Sequence, residues 1–388
     1  MARGRTFLLS AGEASGDLYG AALAEAIRDR EPEATFVGMG GDRMCEAGVE
    51  LLIDIASSSV MGLTEVVRQV PEFLRKRRRL REWIARHRPD VVVPIDFPDF
   101  HLRLAESVDR LGIPVVYFIP PKAWAWRAKR ADRVARVAKT VISILPFEAT
   151  FYRARGANVA YVGHPLVDLV REANPLPPLE ARRRFEIPPG VPTLGLLPGS
   201  RRRELEALFP AMLDAVATLR ETLPTLRVVV PLAPTVTDTM LVPVREHPIF
   251  RDAILVRGET YDAIRACDVL LAASGTVTLE AALLGVPMVV VYRMSALTFA
   301  IVRRLVRVPS SALPNLIAAR HVVPELLQDR ATPDRMAEVV GRLLTDPDIA
   351  KRQCEDLREV AAELGDGGAI DRAAEVVLSV ASEGEVVR

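Results

Sequence analysis

Short, unbroken apolar runs alternate along this chain with longer stretches in which apolar residues recur at helical spacing. In the first half the runs are Thr6–Ser10, Thr35–Gly38, Val91–Ile95, Val115–Ile119, Val141–Leu145 and Val159–Val162. In the second half they are Thr193–Leu197, Val228–Pro231, Ile254–Val256, Val269–Ala272 and Met288–Tyr292. Continuous rather than alternating runs predict strands covered on both faces. Strands alternating with helices predict right-handed crossovers, hence an α/β fold with doubly wound parallel sheets. Two sets of strands predict two sheets and two domains. Proline-rich Asn174-Pro175-Leu176-Pro177-Pro178 and Pro188-Pro189-Gly190-Val191-Pro192 bracket a charged segment and read as a linker. The reading is a first domain over 1–170, a second over 185–350, and a helical tail over 351–388 interrupted at Gly365-Asp366-Gly367-Gly368. The last helix could pack back on the first domain. Ligands of open α/β sheets bind beyond the carboxyl ends of strands, so two such edges facing across a hinge would form a cleft for two substrates.

Composition narrows the class. The 388 residues are 49% hydrophobic and 26% charged, with 51 Lys+Arg against 50 Asp+Glu. That profile excludes a disordered chain and argues against a dedicated nucleic-acid binder. Only five of the basic residues are lysines, so forked guanidinium groups suited to phosphate are plentiful. Cys45, Cys267 and Cys354 are widely spaced with no metal-ligand pattern, which points to a reducing compartment. The start has a brief apolar run, Phe7-Leu8-Leu9, too short for a secretory core. No uncharged apolar run reaches the length of a membrane span. The expectation is a cytoplasmic protein, soluble or peripheral.

Candidate chemistry sits just after strands. Leu197-Pro198-Gly199-Ser200-Arg201 is a strand, a glycine turn and a helix start, where free amides and Arg201 suit an anion. It lacks the Walker spacing, and an ordinary turn with solvated arginines would look the same. Ala273-Ser274-Gly275-Thr276 repeats the arrangement. Its amides and hydroxyls could cradle a diphosphate, with Glu280 one turn on to accept from ribose hydroxyls, or Thr276 could simply cap the helix. In Ile95-Asp96-Phe97-Pro98-Asp99-Phe100, the Asp96 carboxylate among aromatics would be partly desolvated and raised towards general-base work. Asp99 could position it; two aspartates alone do not make a metal site. Gly12-Glu13-Ala14-Ser15-Gly16-Asp17 follows the first strand without the dinucleotide spacing, leaving Glu13, Ser15 and Gly16 as substrate contacts. Trp124 and Trp126 could line a sugar or acyl site or merely pack a loop. His164 could touch a substrate or bond the backbone.

Two stretches combine arginines with an apolar face. Phe73–Arg88 has Phe73, Leu74, Leu80, Trp83 and Ile84 on one side. Met294–Val308 has Phe299 and Val302 beside Arg303, Arg304 and Arg307. Each reads either as an interfacial helix on anionic lipid or as a solvated helix with a core face.

Taken together, Gly12–Asp17, Ile95–Phe100, Trp124-Ala125-Trp126-Arg127, Leu145-Pro146-Phe147-Glu148 and Gly163-His164-Pro165 stand in order with Leu197–Arg201. Ala273–Thr276, Leu313-Pro314-Asn315-Leu316 and Pro324-Glu325-Leu326-Leu327-Gln328 complete a series that spans the chain and resembles the lipid-A-disaccharide synthases. Ala14 and Phe97 are small departures that remove no needed group. The resemblance implies a GT-B fold of two Rossmann-like domains and an inverting glycosyltransferase. It implies UDP-2,3-diacylglucosamine as donor and 2,3-diacylglucosamine 1-phosphate (lipid X) as acceptor. The products would be β(1→6) lipid A disaccharide 1-phosphate and UDP, made without metal or cofactor on the cytoplasmic face of a Gram-negative inner membrane. It implies Asp96 as base. Gly199, Ser200, Arg201, Ser274, Gly275, Thr276, Glu280 and Asn315 would hold UDP. Glu13, Ser15, Gly16, Asp99 and Trp124 would meet the acceptor. A homodimer, with or without exchange of the C-terminal helices, stays open. So do two rivals: an enzyme resembling UDP-N-acetylglucosamine 2-epimerase, and a non-catalytic UDP-sugar-binding membrane module.

Overall fold

The computed structural model describes residues 4–55, 63–294 and 310–385. The chain divides into two compact units: Met1–Pro165 with Gly365–Arg388, and Leu166–Leu364. The division falls inside the tail, giving its first helix, Pro347–Glu363, to the second unit and its last, Ala369–Glu385, to the first.

Unit 1 is built on β1 (Thr6–Ala11), β2 (Thr35–Gly40), β3 (Glu50–Asp54), β4 (Val91–Ile95), β5 (Val116–Phe118), β6 (Thr140–Ser143) and β7 (Val159–Tyr161). The order is β3-β2-β1-β4-β5-β6-β7, with every pair parallel. Helices cover both faces, so β4 is buried from end to end, as its Val-Val-Val-Pro-Ile sequence requires. Strand order reverses between β1 and β4, and their register pairs Ala11 with Ile95. The last helix closes this unit. It buries Ala373, Ala374, Val377, Val380 and Ala381, and Arg372 donates to the Val162 carbonyl at 2.6 and 3.0 Å.

Unit 2 contains β8 (Thr193–Leu197), β9 (Arg227–Leu232), β10 (Ile254–Arg257), β11 (Val269–Ala273), β12 (Met288–Tyr292) and β13 (Glu325–Leu327). These six strands are parallel in the order β10-β9-β8-β11-β12-β13, reversing between β8 and β11. Its core joins the Arg202–Thr222 and Pro333–Thr345 helices to the sheet. The segment read as a linker contains a helix, Pro178–Arg184, belonging to this unit. Pro178 occupies the first helical turn, where its missing N–H costs nothing. Arg182 on that helix donates to the Thr193 hydroxyl at 2.7 Å and pairs with Asp268 at 3.1 Å.

Candidate functional site

Each sheet has one switch point, and the chemistry-bearing motifs leave the strands that flank it. In unit 1 these are Gly12–Asp17 after β1 and Asp96–Asp99 after β4. In unit 2 they are Pro198–Arg201 after β8 and Ser274–Thr276 after β11.

Asp96 and Phe97 both adopt left-handed backbone conformations, with φ of +49° and +48°. Such a conformation is uncommon outside glycine and must be held in place. The Asp96 N–H donates to the Phe118 carbonyl at 3.1 Å, tying the turn to the end of β5. The Asp96 carbonyl accepts from His101 Nδ1 at 2.7 Å, and His101 Nε2 accepts from the Ser10 hydroxyl at 2.8 Å. A carbonyl only accepts, so this pairing fixes the His101 tautomer. His101 is fully buried, and desolvation lowers its pKa to about 4, so it is neutral. The Phe97 ring lies over Gly12, where a Cβ would come within 2.3 Å of it. Pro98 then starts the Pro98–Asp109 helix. The turn leaves the Asp96 carboxyl half-buried. Its pKa is raised, first by desolvation and then by the Glu13 charge, against opposing pulls from Lys122 and the Phe97 N–H.

The other acceptor-side candidates divide. Glu13 is half-buried at the start of the Ala14–Arg30 helix, within the field of Asp96. Ser15 is exposed, and Gly16 is packed close to Ala11. Asp17 is buried and accepts from the amides of Gly41, Arg43 and Met44, so it holds the turn after β2. Asp99 is exposed and paired with Arg130, whose guanidinium sits over the Trp126 ring. The Trp124 indole N–H donates to Glu148 at 3.0 Å. His164 is buried, with its pKa lowered by desolvation to about 4. Sequence reasoning gave no role to His101, Lys122 or Glu148. The signals were there: a histidine one turn after the aspartate, a lysine beside the tryptophans, and a glutamate within a family motif.

In unit 2, Gly199 has a φ of +107°, and a Cβ there would lie 2.5 Å from Glu204 Oε2. The amides of Ser200 and Arg201 donate to that same carboxylate at 3.1 and 3.3 Å. Glu204 thus takes the two donors that the sequence offered to a phosphate, while the Arg201 side chain is 69% exposed. After β11, the Ser274 hydroxyl donates to the Ser311 carbonyl at 2.9 Å. Gly275 is open, since a Cβ there would meet nothing within 4 Å. Thr276 makes no side-chain capping bond, so the capping-box alternative is not what its hydroxyl does. Glu280 is half-buried in the helix that follows, and desolvation raises its pKa to about 7. The Asn315 side chain is tied into its own segment. Its amide donates to the Val323 carbonyl and to Glu325, and its oxygen accepts from the Val322 and Val323 amides at 2.7 and 2.9 Å. With both side-chain donors and both acceptor positions engaged inside its own segment, Asn315 braces the end of the sheet.

The two basic stretches fare differently. The Leu63–His87 helix turns Leu80 and Ile84 into the core, with Phe73 and Trp83 packed beside them. From residue 71 on, the apolar face is therefore spent on folding, while Leu74, 45% exposed, and a fringe of arginines are left outside. Phe299, Val302, Arg303, Arg304 and Arg307 lie outside the described residues. Among the described residues no helix is long and apolar enough to cross a membrane.

A family model described as lipid-A-disaccharide synthetase matches residues 7–376. The chain is 41% identical over 373 residues to the lipid-A-disaccharide synthase of Geobacter sulfurreducens, covering 96% of each. It is 43% identical over 379 residues to that of Myxococcus xanthus, covering 98% of each. Among solved structures, it resembles a putative UDP-N-acetylglucosamine 2-epimerase from Listeria monocytogenes, with a TM-score of 0.65, 17% identity and coverage of 96% and 95% of the two chains. It also resembles MurG of Acinetobacter baumannii, with a TM-score of 0.58, 12% identity and coverage of 97% and 99%. At such identities the structural likenesses show the fold alone, which is the GT-B fold of two Rossmann-like domains.

Proposed function

The chain belongs to the lipid-A-disaccharide synthase family, and from that premise we propose which residues carry its glycosyl transfer. The enzyme is a glycosyltransferase. It joins UDP-2,3-diacylglucosamine to 2,3-diacylglucosamine 1-phosphate and releases UDP. The epimerase reading draws on fold neighbours alone and is not favoured.

Unit 1 takes the acceptor. The supporting observation is the Asp96 turn: a carboxylate held by a strained backbone at a switch point, half-desolvated, with raised proton affinity. Asp96 accepts the proton of the acceptor 6-hydroxyl as that oxygen attacks the anomeric carbon, and the bond to the UDP oxygen breaks on the opposite face. A raised pKa suits this, because a base works best when its pKa approaches the operating pH. Glu13, Ser15 and Gly16 line the same edge.

Unit 2 takes the donor. The Arg201 guanidinium and the open Ser274-Gly275-Thr276 turn meet the diphosphate, whose charge grows as the glycosidic bond breaks. Donors aimed at that growing charge stabilise the transition state more than the ground state. The Ser200 and Arg201 amides join them when phosphate replaces Glu204 as their acceptor. Glu280, desolvated and near neutrality, accepts from the ribose hydroxyls. Asn315 supports this edge without touching the nucleotide. The arginines of residues 303–307 and the fringe of the Leu63–His87 helix meet anionic headgroups of the inner membrane, where both acylated substrates reside.

The test is turnover of purified protein with both substrates in detergent, with and without EDTA. UDP release with a lipid disaccharide product is expected in both. Asp96→Asn should cost roughly 10²–10⁴-fold in rate. Near-full turnover by that variant would remove Asp96 as the base.

A further inference from the structure

Unit 1 also holds a buried carboxyl group that the transfer scheme does not use. Glu148 lies on the Pro146–Arg153 helix and is 2% exposed. Its carboxylate accepts from the Trp124 indole N–H at 3.0 Å and from the Ser143 hydroxyl at 3.0 Å. One turn later, the Tyr152 hydroxyl donates to the Pro121 carbonyl at 2.6 Å. One helix thus grips the loop after β5 at two points that straddle Lys122. The loop is stiffened further by Trp124 standing edge-on to Phe147, with ring centroids 4.9 Å apart.

Lys122 is exposed, and its positive charge acts on Asp96, Glu148 and His164 alike. The Asp96 charge in turn raises the proton affinity of Glu148. The groups that face Glu148 are therefore Trp124, Ser143, Lys122 and Asp96, and Tyr152 on its own helix feels its charge. His164 is neutral at working pH.

Burying a carboxyl group is costly, and an amide of the same shape could serve the same structural bonds. A glutamine would accept from Trp124 with its oxygen and donate to Ser143 with its nitrogen, while the serine hydroxyl turned to the Leu145 carbonyl, 3.0 Å away. A carboxyl group rather than an amide at this position therefore calls for a task that the bonds alone do not explain. We propose that Glu148 is a positioning residue of the transfer step, holding the Lys122–Trp124 loop at the acceptor edge and offsetting Lys122 so that Asp96 stays a stronger base. This rests on the reading of Asp96 as the base.

The proposal carries its own pH signature. Desolvation lifts the Glu148 pKa to about 7. Above that pH the residue is charged and supports Asp96; below it, Glu148 is neutral and equivalent to glutamine. In a kcat/KM profile, Glu148→Gln should fall roughly three- to tenfold below wild type at pH 8 and converge on it at pH 6. A purely structural role would give the same ratio at every pH, and that result would overturn the proposal. Lys122→Met offers a second route that leaves the buried network intact. It removes a charge that lowers the proton affinity of both Asp96 and Glu148, so the inflection of the kcat/KM profile should move to higher pH, and an unaltered profile would count against the proposal. Asp96→Asn, assayed alongside, separates the two readings: if it keeps turnover, the base assignment fails. If it is inactive while Glu148→Gln keeps a constant ratio to wild type, this inference alone fails.

Discussion

At the scale of residues, buried titratable groups oppose one another across the acid range. His101 and His164 have pKa values lowered to about 4 from 6.5. The stability they contribute is present above 6.5 and is lost as pH falls through 4. Glu148 is raised from 4.5 to about 7, so its contribution is present below 4.5 and is lost as pH rises through 7. Glu148→Gln removes that loss. Its unfolding free energy relative to wild type should climb by about 3 kcal/mol at most between pH 4.5 and 8. Urea titrations at a series of pH values would read it, and a pH-independent difference would contradict it. Gly199 makes a second test. Alanine there needs a φ of +107° and a Cβ 2.5 Å from Glu204, which costs on the order of 1–3 kcal/mol. We expect Gly199→Ala to weaken UDP binding about tenfold or more by calorimetry. Residue types and their positions after strands were legible in the sequence; the partners were not. Nothing local tells that Asn315 spends its amide on Val322, Val323 and Glu325, or that His101 bonds Ser10 far upstream.

At the scale of elements, buried strands were legible because a strand covered on both faces is an unbroken apolar run. The two that escaped, β3 and β13, lie at sheet edges. β3 reads Glu-Leu-Leu-Ile-Asp and is partly exposed, and β13 is three residues long. Such segments need only one neighbour and half a covering, so they leave a weak trace. The Leu63–His87 helix shows the converse ambiguity. Apolar residues at helical spacing suit a core or a lipid surface equally, and only packing reveals that the core claimed Leu80 and Ile84. The last helix carries the sharpest prediction at this level. Val377 is fully buried, so Val377→Asp places an unpaired charge in the core and should cost several kcal/mol, on the order of 3–5. A lowered urea midpoint in full-length protein would show it. An unchanged midpoint would mean that the helix adds little to unit 1.

At the scale of the whole molecule, two doubly wound sheets were legible in the alternation of elements, and the family in motifs spread along the entire chain. Attachment to a lipid surface belongs to this scale too, since headgroup attraction sums over many charges. Replacing Arg303, Arg304 and Arg307 together with glutamate should weaken sedimentation with anionic vesicles while leaving turnover of detergent-dispersed substrates largely intact. Equal sedimentation would place the lipid contact elsewhere. The path of the chain has a consequence for synthesis. Unit 1 is assembled from two segments, one on each side of Leu166–Leu364. At bacterial elongation rates, on the order of ten to forty seconds separate its first part from its last helix. Through that interval the Ala14–Arg30 helix, which packs against the closing helix in the finished protein, lacks that neighbour. The unit translated first is the last to be completed, and a ribosome that stalls before Gly365 leaves a client for chaperones.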